Sequence, residues 1–155
     1  MSGNPSPKVP PLALTLVLAA LMWGAARTWP QFSFAWPLVR ELAAALALAG
    51  LAICLVCVGS FRHAGTTVNP TRPDGTSALV THGIYRYSRN PMYVGILACL
   101  VAWGLQLAHV PALLGGPLLL FLYLDRFQVA PEERALEARF GDDYRAYRRA
   151  VRRWL

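Results

Sequence analysis

The sequence predicts an all-α, multi-pass membrane protein: about four transmembrane helices followed by a C-terminal amphipathic helix lying at the interface. Three observations predict it. Hydrophobic residues make up 55% of the chain and charged residues only 15%, against about 25% charged in soluble domains. The apolar residues fall into long runs free of charge. The cations sit at the ends of those runs, which reads as a topology signal and not as a nucleic-acid surface, although the formal net charge is +7. With 155 residues there is room for one membrane-embedded unit, 1–155, and no second domain.

Residues 1–11 are proline-rich and are expected to be disordered. Leu12 to Ala26 forms the first span. Lys8 before it and Gly24-Ala25-Ala26 at its end resemble a signal peptide, but cleavage there would strand the cationic segments outside. Leu42 to Gly59 is the second span. Its Cys54 and Cys57 form a C-x-x-C pair without the βαβ context of a redox motif or a second pair for zinc, so they read as structural thiols. His63, His82 and His109 are scattered, and no metal is expected.

Pro91 to Leu124 is uncharged over a length that would reach roughly 50 Å as one helix. One crossing needs about 30 Å. The run must therefore fold back, either at Gln106 to Pro111 or at Gly115-Gly116-Pro117, giving spans three and four. Asn90-Pro91 is a strong helix start, with Asn90 expected to cap the free amides and Pro91 to occupy the first position. Those amides favour an anion, and Arg86 and Arg89 reinforce the preference.

Orientation follows from arginine. Arg62, Arg72, Arg86 and Arg89 lie in the loop 61–90, and Arg126, Arg134, Arg139, Arg145, Arg148, Arg149, Arg152 and Arg153 lie in the tail 125–155, whereas the turn between spans three and four holds none. The loop, the tail and the N-terminus with Lys8 are expected on the cytoplasmic side of a cell or inner membrane. Arg27 and Arg40 dissent, and snorkelling absorbs them.

The loop 61–90 is rich in turn chemistry at Gly65-Thr66-Thr67, Asn69-Pro70 and Arg72-Pro73-Asp74-Gly75, yet Leu79, Val80, Ile84, Tyr85 and Tyr87 make it too apolar for a solvated linker. In the tail, Pro131 opens or kinks a helix with Glu132 and Glu133 in its first turn. Leu136, Phe140, Tyr144, Tyr147, Val151 and Trp154 then recur at spacings of three and four, an amphipathic helix or two broken at Gly141, with Tyr144 and Tyr147 placed to cover a pocket. Hairpin ends lie close together, so the cluster from Arg86 to Tyr93 and the acids Glu132 and Glu133 should share one cavity.

The pattern Leu79-Val80-x-x-Gly83-x-Tyr85-x-x-x-Arg89-Asn90-Pro91-x-Tyr93-x-Gly95, followed by Glu132-Glu133-x-x-Leu136 and Phe140-Gly141-x-x-Tyr144-x-x-Tyr147, resembles the isoprenylcysteine carboxyl methyltransferase family and, more distantly, phospholipid N-methyltransferases. The resemblance runs from Thr66 to Trp154. It implies S-adenosylmethionine as donor, with Leu79, Val80 and Gly83 at the adenine end. Tyr85, Asn90, Pro91 and Tyr93 would hold the methionine moiety, and Glu132 and Glu133 would meet the amino group or the ribose hydroxyls.

The family's eukaryotic members carry His where this chain has Asn90, which keeps the hydrogen bonding but cannot titrate near neutrality. Methyl transfer needs positioning and exclusion of water, and Arg89 or Arg126 could orient a carboxylate acceptor. No base with a suitable pKa stands out, which favours a carboxylate or an already nucleophilic acceptor, small or lipid, reached from the bilayer. Two other classes fit the same architecture: an NADPH-dependent enzyme like the sterol reductases, and a non-enzymatic membrane scaffold.

Overall fold

The computed structural model describes residues 9–64 and 79–155. The expected disorder at 1–8, Lys8 itself, and the turn clusters and Arg72 of 65–78 lie outside these residues. The described chain is all helical apart from short connections. Its helices are α1 (Pro11–Thr28), α2 (Val39–His63), α3 (Pro91–Leu107), α4 (Val110–Tyr123) and α5 (Ala130–Ala150). α1, α2 and the continuous helical stretch Val110–Ala150 are long and apolar enough to cross a membrane, and α3 is a shorter apolar helix of 17 residues.

α3 occupies the centre, packed against α1, α2 and α4. Lipid gives no hydrophobic drive between helices, so close backbone approach must hold them. At the α2–α3 crossing, a Cβ on Gly95 would lie 2.7 Å from the Gly50 carbonyl oxygen, and one on Gly50 would meet the Gly95 carbonyl at 2.7 Å. The core formed around this helix joins Leu18 and Met22 of α1, Leu100 of α3, and Ala112 and Leu120 of α4. The outer faces, such as Leu48, Leu51 and Leu55 of α2, are exposed, as lipid-facing residues should be.

The fold settles the open choice of turn and corrects two expectations. The long apolar run folds back at Ala108-His109, inside the first of the two candidate turns, while Gly115-Gly116-Pro117 lies within α4. The reason is local: His109 is fully buried, its Nδ1 accepts from the Ala112 amide (3.3 Å) and so caps α4, and Ala108 takes the left-handed conformation (φ 47°) that ends α3. The second span runs on through Phe61, Arg62 and His63 before the loop begins.

The tail does not start a fresh helix at Pro131. A π-helical stretch, Leu124–Val129, joins α4 to α5 without a break. Its wider turn lets a proline, which lacks the amide and crowds the preceding turn, sit in a continuous helix. The break comes instead at Gly141, whose φ of 52° and ψ of −119° only glycine adopts cheaply. The amphipathic segment is thus two pieces broken at Gly141.

Candidate functional site

The start of α3 meets the start of α5. Arg89 Nη2 pairs with Glu133 Oε1 at 2.9 Å, and the Tyr93 hydroxyl donates to Glu132 Oε1 at 2.7 Å. Beside Glu133 lies an open cavity of about 790 Å³, lined by Arg89, Asp125, Arg126, Ala130, Glu133, Arg134, Glu137, Arg148 and Arg153.

Neighbouring carboxylates on a helix point about 100° apart, and here they do different work. Glu133 faces the cavity. It is buried, with Oε1 accepting from Arg89 and from Arg153 Nε (3.3 Å), and Oε2 accepting from Arg153 Nη2 (2.6 Å). Glu132 turns inward, its Oε1 accepting from Tyr93 and from Gln128 Nε2. Burial pushes its carboxyl up to about 7, opposed by the hydrogen bonds from Tyr93 and Gln128. A group titrating near neutrality, absent from the sequence reading, is therefore present.

Arg89 is the most unusual charge. Its side chain is only 9% exposed, yet Nε and Nη1 are buried without a hydrogen-bond partner. Leaving such donors unsatisfied is costly, and the Tyr144 hydroxyl is the group on hand to interact with this guanidinium. Arg126 is exposed at the same cavity.

Asn90 corrects an expectation. It makes no side-chain cap at α3; its Nδ2 instead donates to the Arg153 carbonyl at 2.9 Å, because the segment after α5 runs back across this end of the bundle. Pro91 is buried as the first residue of α3. Tyr85 sits in a short 3-10 turn, Gly83–Arg86, entered through Gly83 at φ 63°. Tyr85 and Val80 pack with Cys57 at the end of α2, and burial raises the Tyr85 hydroxyl. Gly83 is exposed and Leu79 half-buried. Leu79, Val80 and Gly83 do not line the cavity. Tyr144 and Tyr147, expected to cover a pocket, lie outside the cavity lining: the Tyr147 hydroxyl donates to the Tyr85 carbonyl at 2.7 Å, and Tyr144 is fully buried, which pushes its hydroxyl up to about 12.

A family model described as phospholipid methyltransferase matches residues 38–143, from the start of α2 into α5. The chain belongs to the phospholipid methyltransferase family. An uncharacterized protein of Haemophilus influenzae is 47% identical over 64 residues, covering 41% of this chain and 100% of its own length. The protein-S-isoprenylcysteine O-methyltransferase of Schizosaccharomyces pombe is 36% identical over 73 residues, 47% of this chain; the chain spans only 30% of that protein's length. No solved structure matches the chain.

In this integral membrane methyltransferase, several residues of the polar end escaped the sequence reading. Gln128 carried a usable signal, a polar residue one helical turn before Glu132. Asp125, whose Oδ1 accepts from Arg153 Nη1 (3.2 Å) and Trp154 Nε1 (2.9 Å), was visible only as the end of an apolar run. Arg153 had no distinguishing mark among the tail arginines, since its role depends on where the chain returns after α5.

Proposed function

We propose that this protein is a methyltransferase of the isoprenylcysteine carboxyl methyltransferase type, using S-adenosylmethionine to methylate an amphiphilic acceptor that enters from the bilayer, with a carboxylate the best-suited acceptor. The observation that carries the reading is the buried Arg89–Glu133 pair at the head of α3, on the wall of a 790 Å³ cavity. That volume is within the range of about 300–1,000 Å³ usual for small-molecule sites. The donor set fits the chemistry of the cofactor, which carries an ammonium, a carboxylate and a sulfonium. Glu133 would take the ammonium and Arg89 the carboxylate; Asn90, Pro91, Tyr93 and Tyr85 lie behind this lining, with Glu132 holding Tyr93. Leu79, Val80 and Gly83, the expected adenine end, lie outside the lining of this cavity. When bound, S-adenosylmethionine supplies a methyl group activated by the positive sulfur.

The protein's own part is placement. Arg126, exposed at the cavity, would orient an acceptor carboxylate by a bidentate contact, and Tyr144 and Tyr147 would limit water. A carboxylate is already a nucleophile, so no proton need be removed. The arginines of the α3 start and of α5 all lie at the cavity's end of the bundle, while Arg27 and Arg40 lie at the other, which supports a cytoplasmic cavity with both ends of the chain on that side. The whole chain would act as one unit. Incubation of the purified protein with methyl-labelled donor and a total lipid extract tests the reading. Label should enter a membrane-soluble, base-labile ester; label in no species, or only in an amine or thiol, contradicts it.

A further inference from the structure

After α5 the backbone turns extended at Val151 (φ −125°, ψ 134°) and runs back across the start of α3. The Arg89 amide donates to the Arg152 carbonyl at 3.0 Å, and Asn90 Nδ2 donates to the Arg153 carbonyl at 2.9 Å. Trp154 seals the far edge, its Nε1 on Asp125 and its ring 5.0 Å from that of Phe121. The Arg153 guanidinium then reaches into the cavity and bridges Asp125 (3.2 Å) and Glu133 (2.6 Å).

Glu133 therefore has both oxygens occupied by this chain's own cations. A ligand ammonium can reach it only if one arginine yields. Arg89 is 9% exposed and would be left as a buried, unpaired charge. Arg153 is 38% exposed, lies on an extended segment, and would pass into water. The asymmetry decides which one moves. We infer that Arg153 is a self-supplied occupant of the Glu133 site, held there by Asp125, and that a cationic ligand binds by displacing Arg153 and loosening the strap Val151–Leu155. The residue thereby sets specificity, since a ligand lacking a cation or strong donors cannot compete with a guanidinium for Glu133. With S-adenosylmethionine as that ligand, the inference rests on the function proposed above.

The Arg89 amide reports on the strap directly, because its acceptor is the Arg152 carbonyl. Hydrogen exchange at Arg89 is measured on the full chain in detergent, with and without S-adenosylmethionine, beside equilibrium binding of the same compound. Asp125→Asn should speed Arg89 exchange about tenfold without ligand. Saturating donor should speed it in the wild type, and Arg153→Gln should bind donor several-fold more tightly. The inference is overturned if donor binds while Arg89 exchange is unchanged or slowed, or if Arg153→Gln binds donor more weakly. Should the wild type not bind donor at all, the proposed function fails. The strap is then judged on Asp125→Asn, where unchanged exchange at Arg89 overturns the inference. Helical protection within α3 and α2 identifies any variant that has simply lost its fold.

Discussion

At the α3–α4 turn, His109 is fully buried yet both ring nitrogens are satisfied: Nδ1 accepts from Ala112, so Nε2 carries the hydrogen and donates to the Trp29 carbonyl at 3.1 Å. At the opposite end of the same helix pair, Arg89 is nearly as enclosed but leaves two nitrogens without a partner. The first end completes its hydrogen bonds with neutral groups and backbone, including Phe34 N–H to the Ala108 carbonyl at 2.8 Å. The second concentrates charge, with Arg89, Arg153, Asp125 and Glu133 in one linked set. Polar satisfaction without charge is what a turn needs for stability. Buried charge with unsatisfied donors costs stability, and such groups cluster at functional sites.

The contrast is broken most severely at Glu133. Glu133→Ala leaves Arg89 as a buried cation with no counter-charge, and should lower stability by about 3–5 kcal/mol, read as a fall in the thermal midpoint in detergent. A variant as stable as the wild type would mean that Arg89 is better hydrated than its burial indicates.

His109→Ala tests the other end. It removes the α4 cap and the bond to Trp29, and should cost about 1–2 kcal/mol, while donor affinity stays at the wild-type value. Loss of donor binding with a retained fold would show that the two ends are not independent.

The helical layout was largely legible because uninterrupted apolar runs bounded by arginine leave few alternatives in a bilayer. Joining Arg89 and Tyr93 to Glu132 and Glu133 was also within reach, since consecutive antiparallel spans bring their ends together. What was not legible depended on long-range closure. Asn90 reads as a cap by residue type, and only the return of Arg153 across α3 shows why its amide is engaged elsewhere. Gly115-Gly116-Pro117 reads as a break, but Gly116 is where Met22 of α1 packs onto α4, so the small residues serve a helix crossing. The raised carboxyl of Glu132 follows from its burial, against the lowering pull of the Tyr93 and Gln128 hydrogen bonds, and no spacing encodes that balance.

The smaller effect lies within the polar end and concerns pH. The Glu132 carboxyl is raised from 4.5 to about 7 in the folded protein, so the folded form holds the proton more tightly than the unfolded. Its contribution to stability is therefore full below about pH 4.5 and is lost as pH rises through about 7. Tyr93→Phe removes a bond that favours the ionised form, and should move the upper limit of this transition to higher pH. Thermal midpoints measured from pH 4 to 9 check it; an unchanged profile would separate Glu132 from Tyr93. His109→Ala, at the uncharged end, should leave the same profile in place.

The central claim is that the cavity between the start of α3 and the start of α5 holds a methyl donor through Glu133. Equilibrium binding of radiolabelled S-adenosylmethionine to the purified protein in detergent, alongside NADPH, for the wild type and Glu133→Gln, tests it most directly. The account predicts saturable donor binding in the wild type, its loss in Glu133→Gln, and no binding of NADPH. Donor binding unaffected by Glu133→Gln, or binding of NADPH in its place, would contradict it.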